Sequence, residues 1–163
     1  MKINNKKDYF MKFVNQDITT VNHGIVCHGV NCQGVMGSGV AKAIRNRWSE
    51  VYKAYKKQPT GKEMLGVCHA ICVQDEPELF VANCYTQEYY GKDGRIYAST
   101  KAIEEALANV FYLAVTYDGL TIHSPKIGCG LGGLRWYNKV DGIYEKLIKK
   151  FNHKDVVIYD WNP

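Results

Sequence analysis

The chain has 163 residues, 46% of them hydrophobic and 23% charged, a balance that suits one globular domain and excludes a disordered or fibrous chain. Its formal net charge is +5, but the lysines are dispersed, and the tightest cluster, Lys53, Lys56 and Lys57, ends an expected helix where cations complement the dipole, so a nucleic-acid partner is not expected. The opening MKINNKKDYF has no apolar run of signal-peptide length and no stretch approaches a membrane span, so a soluble, cytoplasmic chain without a membrane partner, most simply a monomer, is expected.

Short apolar, β-branched runs alternate with segments of helical spacing. A strand is expected at Tyr9 to Val14 and a second at Ile25 to Val30. A helix follows over Gly39 to Lys57, with Val40, Ile44, Trp48, Val51 and Tyr55 on one stripe. Strands at Val67 to Val73 and Leu79 to Tyr85, separated by the acidic turn QDEPE, read as an antiparallel hairpin. Next come a helix over Ser99 to Thr116, a strand at Leu120 to Ser124, a helix over Asn138 to Phe151 and a last strand at Val156 to Tyr159. Connections through helices imply parallel pairing, hence an α/β sheet covered on both faces. No repeat or interdomain linker interrupts residues 1–163. The six cysteines (Cys27, Cys32, Cys68, Cys72, Cys84 and Cys129) contain no C-x-x-C pair, which points to reduced core thiols and no metal site.

Two glycine-rich loops each follow a strand and precede a helix. The first is HGVNCQGVMGSGVAKAI, from His28 to Ile44, and the second is PKIGCGLGGLRW, from Pro125 to Trp136. Carboxyl ends of strands are where open α/β sheets hold ligands, and glycines there let backbone approach an anion at a helix N-terminus. Commoner phosphate motifs do not fit. Lys42 follows Ala41 without the P-loop pattern. The second loop does match G-x-G-x-x-G through Gly128, Gly130 and Gly133, but late in the chain, and the acidic residue further on, Asp155, begins a strand instead of ending one. One such loop alone could be a tight turn; two at equivalent strand ends suggest a grip on a diphosphate.

Together VNQDI, HGVNCQGVMGSGVAKAI, NCYTQ and SPKIGCGLGGLRW resemble the macrodomain family, over nearly the whole chain from about residue 12. The likeness is to the compact branch of ADP-ribose 1″-phosphate phosphatases, terminal ADP-ribose glycohydrolases and small phage proteins. It implies a three-layer α/β/α sandwich with a mixed central sheet that binds ADP-ribose or its 1″-phosphate as ligand or product, with no cofactor. By motif, Asp17 would bind the adenine amino group and Ile18 would add a backbone contact. Asn31 would meet the distal ribose. Gly34, Val35, Met36, Gly37, Ser38, Gly39 and Val40, with Gly128, Cys129, Gly130, Leu131, Gly132 and Gly133, would enclose the diphosphate and distal ribose. Read from position alone, Asp17 is an N-cap or Asx turn and Asn31 a turn stabiliser. Trp161 and Tyr159 are either the last core aromatics or rings beside the adenine.

For chemistry, the resemblance points away from the glycohydrolases, whose lysine and acid align with Gln87 and Gly132 here. Gln87 cannot form a Schiff base and Gly132 cannot move a proton. His28 matches the histidine of the phosphatase-type members, and an imidazole can serve as nucleophile or acid/base. The expectation is therefore a phosphatase acting on ADP-ribose 1″-phosphate through His28 and Asn31. A reader without turnover and a hydrolase removing ADP-ribose from a macromolecule are the alternatives. The loop EYYGKDGR, with Tyr89, Tyr90 and Arg95, is either a lid or an ordinary loop.

Overall fold

A computed structural model of the chain describes residues 11–163. Six strands form one mixed sheet: β1 (Lys12–Val14), β2 (Gly24–Asn31), β3 (Cys68–Gln74), β4 (Leu79–Gln87), β5 (Ile122–Pro125) and β6 (Val156–Tyr159). Their order is β1-β6-β5-β2-β4-β3, and only the β3–β4 pair is antiparallel. Four helices cover it: α1 (Gly39–Arg47), α2 (Ser49–Lys57), α3 (Thr100–Thr116) and α4 (Asp141–Phe151). The expected start of the first strand, Tyr9 and Phe10, lies outside the described residues.

Strand alternation divides the core into two layers. Ile25 and Cys27 of β2 point to the α3/α4 side, where Ile103, Leu107, Val110, Phe111, Tyr144 and Leu147 pack. Val26 and Val30 point to the other side, under Ile44, Trp48, Val51 and Tyr55 of the α1/α2 layer. The three-layer α/β/α expectation therefore describes the molecule. Among the described residues no helix is long and apolar enough to cross a membrane.

Two helices differ from the periodicity. The expected helix over 39–57 breaks at Trp48, whose backbone (φ −127°, ψ 84°) is not helical. The indole is 4% exposed and packs with Ile18, Ile44 and Val51, so burial of one large ring outweighs continuity of the helix. The last helix begins at Asp141 instead of Asn138, because Tyr137 is extended and Asn138 takes a left-handed conformation at φ 63°. Asparagine tolerates that conformation better than most residues. Ser99 caps α3 by accepting a hydrogen bond from the Ala102 amide at 3.2 Å.

Candidate functional site

The carboxyl ends of β2, β4, β5 and β6 converge on one cavity of about 690 Å³. The first glycine loop contributes Val35, Gly37, Ser38, Gly39 and Val40 to its wall; the second contributes Gly128, Cys129, Gly130, Leu131 and Gly132. Asn31, Gln87, Tyr90, Tyr159 and Trp161 complete the set of sequence-derived residues found there.

The two loops are held by different means. In the first, the Asn31 side chain does most of the work. Its Oδ1 accepts hydrogen bonds from the Gln33 amide (2.9 Å), the Val35 amide (3.3 Å) and the Tyr55 hydroxyl (2.9 Å), while its Nδ2 donates to the Val35 carbonyl at 2.8 Å. Lys56 Nζ donates to the Gly34 carbonyl at 3.2 Å. These bonds hold residues 31–35 in a compact turn and leave the amides of Gly37, Ser38, Gly39, Val40 and Ala41 without an acceptor among the described residues. Ser38 makes no side-chain cap, so the N-terminus of α1 opens on the cavity with its donors free.

In the second loop the holding contacts are backbone and packing. The Gly132 carbonyl accepts from Tyr97 N (2.9 Å) and Ala98 N (3.1 Å), and Leu134 N donates to the Gly128 carbonyl at 2.8 Å. The amides of Gly130, Leu131 and Gly132 have no acceptor among the described residues. A Cβ on Gly132 would lie 2.7 Å from the Gly128 carbonyl oxygen and 3.0 Å from Ala98 Cβ. Any acid at that position would force the loop to move, a steric reason for glycine that the alignment alone could not give. Burial pushes the Cys129 thiol up to about 11, so it lines the wall as a neutral group.

His28 requires a correction. It is expected to act on the ligand; the structure buries it completely, on the α1/α2 face of β2. Its Nε2 meets Asn83 Oδ1 at 2.6 Å, and Asn83 is its register partner on β4. Burial lowers the imidazole to about 4, against the smaller opposing effect of the Asn83 bond, so it stays neutral near pH 7. The physical reason is depth along the strand: the wall begins at Gly29 and takes in Val30 and Asn31, whereas His28 precedes it on β2 and is held against its neighbour Asn83 on β4.

Other expected residues also lie outside the cavity wall. Met36 is 1% exposed and packs with Val30, Tyr55 and Tyr85, so its own side chain anchors the loop from beneath. Gly34 faces Lys56, and Gly133 faces the Arg95 backbone. Asp17 caps the short 3-10 turn Ile18–Thr20, accepting from Thr19 N at 2.8 Å and from Thr19 Oγ1 at 2.6 Å. Ile18 is fully buried beside Val26 and Ile44. Tyr89 and Arg95 stand outside the wall, where Arg95 pairs with Asp93 at 3.2 Å, whereas Tyr90 lines the cavity.

Sequence reasoning missed Lys126, Thr86, Lys92 and the tail residues Asp160, Asn162 and Pro163, all in the wall. Lys126 had a local signal, since it follows the strand whose end begins the second loop. Its Nζ pairs with Asp160 Oδ2 at 3.4 Å, which ties that loop to the segment after β6. Tyr159, part of the wall, is fixed by His123. His123 Nε2 lies 3.1 Å from the His23 carbonyl and must donate there, so Nδ1, 2.7 Å from the Tyr159 hydroxyl, accepts from it. Burial lowers His123 to about 4, consistent with that neutral tautomer.

A mixed sheet of this order, with two amide-rich loops facing one cavity at its carboxyl edge, matches a recognised class. Residues 27–141 match the Macro domain, and the chain belongs to that family. No curated protein matches it in sequence. By fold it is similar to the macrodomain of Mycobacterium tuberculosis DarG, at 21% identity and TM-score 0.75, over 94% of this chain and 97% of the other. It is also similar to a macrodomain protein from Streptomyces coelicolor, at 25% identity and TM-score 0.69, over 92% and 98% of the two chains. The Trypanosoma brucei macrodomain, solved in complex with ADP-ribose, aligns at 14% identity and TM-score 0.69, over 93% of this chain and 63% of that one.

Proposed function

We propose that this chain binds ADP-ribose, with the diphosphate held between the two glycine loops. The observation that carries this reading is the pair of free amide runs, at Gly37 to Ala41 and Gly130 to Gly132, in the wall of one cavity. Donors that are fixed before binding favour an anion without reorganisation, and the α1 dipole adds partial positive charge. Family membership and the ADP-ribose complex of the Trypanosoma brucei macrodomain support the same ligand. By motif the distal ribose would lie beside Asn31, whose side chain arranges the loop backbone around it, and the adenine beside Asp17, with Trp161 of the cavity wall as a candidate ring next to it.

Hydrolysis of ADP-ribose 1″-phosphate is the finer reading. It keeps the support of the sequence resemblance, and an amide cradle suits a terminal phosphate. It loses His28 as acid or base, because that imidazole is fully buried against Asn83 and outside the cavity wall. Any turnover would then rest on Asn31, the loop amides and an oriented water. Calorimetry with ADP-ribose tests the main reading: saturable one-to-one binding is expected, and its absence overturns it. Phosphate release from ADP-ribose 1″-phosphate, compared between the parent and His28→Gln, tests the finer one. Equal release in both supports turnover without the imidazole, and none in the parent leaves a reader.

A further inference from the structure

The α3/α4 face of the sheet carries three thiols that the binding function does not use: Cys27 on β2, Cys84 on β4 and Cys68 on β3. All three are free. Cys68 and Cys84 are register partners in the antiparallel β3–β4 pair. The type of that pair follows from the ladder beside it. Tyr85 N donates to the Val67 carbonyl at 2.9 Å and the Tyr85 carbonyl accepts from Gly66 N at 2.8 Å, so the ladder bonds fall on residue 85 and leave the register pair 68 and 84 at the adjacent non-hydrogen-bonded position. In that position the Cα atoms come to about 4.5 Å and the side chains project to the same face at closest approach. That separation falls within the range of about 4.4 to 6.8 Å that a disulfide spans, so closing the bond needs no change of register.

Access differs between the two sulfurs. Cys84 is fully buried on a central strand, beneath α3. Cys68 is only partly buried and lies near the start of β3, the edge strand of the sheet, where a small reagent can approach. The thiol–thiol contact and burial raise Cys84 well above its ordinary value, while the same contact holds Cys68 below its own. One thiol is thus suited to attack first and the other to resolve.

We propose that Cys68 and Cys84 form a reversible dithiol/disulfide pair, oxidised by exchange with a small-molecule disulfide. The Cys68 thiolate attacks one sulfur of the reagent, forming a mixed disulfide and expelling one reagent thiolate, which takes up the proton Cys68 gave to solvent. Cys84 then loses its proton and attacks the Cys68 sulfur, forming the intrachain bond and expelling the second reagent thiolate, which is protonated in turn. Two protein thiols and one reagent disulfide become one protein disulfide and two reagent thiols. The pair lies next to the cavity floor, because Cys84 is opposite Gly29 on β2 and precedes Thr86 by two residues.

The test incubates the full chain with oxidised glutathione, blocks remaining thiols with iodoacetamide under denaturing conditions and maps the peptides by mass spectrometry. The expected result is one intrachain cross-link joining the Cys68 and Cys84 peptides, reversed by dithiothreitol, with Cys27, Cys32, Cys72 and Cys129 alkylated. In Cys84→Ala the expected product is a stable glutathione adduct on Cys68. Full alkylation of all six thiols, a cross-link at other positions, or an adduct on Cys68 of the parent that never resolves would overturn the proposal. None of these readouts depends on ADP-ribose binding.

Discussion

The two glycine loops line the same cavity for different structural reasons. Glycines of the first loop mostly have space: a Cβ on Gly39 would meet nothing within 4 Å, and one on Gly37 would make only an ordinary contact with Val35 at 3.6 Å. Its shape comes from one amide side chain, Asn31, aided by Tyr55 and Lys56. In the second loop, a Cβ on Gly128, Gly132 or Gly133 would come within 2.7 to 2.9 Å of a neighbour, and only Gly130 is open. A glycine in such a loop can therefore serve either the ligand or the fold, and composition does not distinguish the two roles. The first loop spends side-chain hydrogen bonds to free its amides; the second spends packing.

Substitutions rank this contrast. Gly133→Val should be the most damaging, because residue 133 sits at φ 83° with its would-be Cβ 2.8 Å from the Arg95 carbonyl oxygen. Left-handed strain and overpacking together should cost about 3 kcal/mol, read as a lower urea midpoint. An unchanged midpoint would end the claim that this loop is held by packing.

Asn31→Ala comes next, since it removes the acceptor of three hydrogen bonds and the donor of a fourth. A loss of about 2 kcal/mol is expected, the scale of buried groups left without partners. Asn31→Asp keeps the acceptor and should recover part of it. ADP-ribose affinity should fall with loop order in both variants, and undiminished binding to Asn31→Ala would show that the loop holds its shape without that side chain.

Gly39→Ala should be milder. The site is open but φ is 60°, so left-handed strain alone, about 1 kcal/mol, is expected in the urea midpoint. The methyl group also sits at the first turn of α1, so weaker ADP-ribose binding should accompany it in calorimetry.

Gly130→Val is expected to change stability least, within about 0.5 kcal/mol, because the position is exposed and nothing lies within 4 Å of the added Cβ. It should nevertheless weaken ADP-ribose binding at least about tenfold, or roughly 1.4 kcal/mol, by placing a side chain where the phosphates would approach the free amides. Tight binding with normal stability would remove the second loop from the ligand site.

Local pattern was enough for much of this molecule. The alternation of apolar runs and helical stripes, the hairpin around QDEPE and the position of both glycine loops after strands follow from periodicity and turn chemistry, which act over a few residues. So does the helix expected from Ser99, observed as α3. The helix break at Trp48 was not legible, because a ring on the correct stripe carries no sign that its backbone will leave the helix to bury it. Nor was the late start of α4, which depends on Asn138 taking a left-handed turn.

The site was legible as two loops but not residue by residue. His28 lay beside the loop in sequence and on the face of β2 that α1 covers, but one residue below the cavity wall, where it is fully buried against Asn83; only the pairing of β2 with β4 says that the imidazole is sealed there. Asn31 was readable as a polar residue at a strand end; that its amide would be used up shaping its own loop depended on Val35 and Tyr55 arriving beside it. The wall contributed by Lys126, Asp160 and the tail exists only because β5 and β6 pair next to β2. Local periodicity determined the elements and the loops. The order of strands, the burial of His28 and the membership of the cavity wall are long-range contacts, and only the tertiary structure decided them.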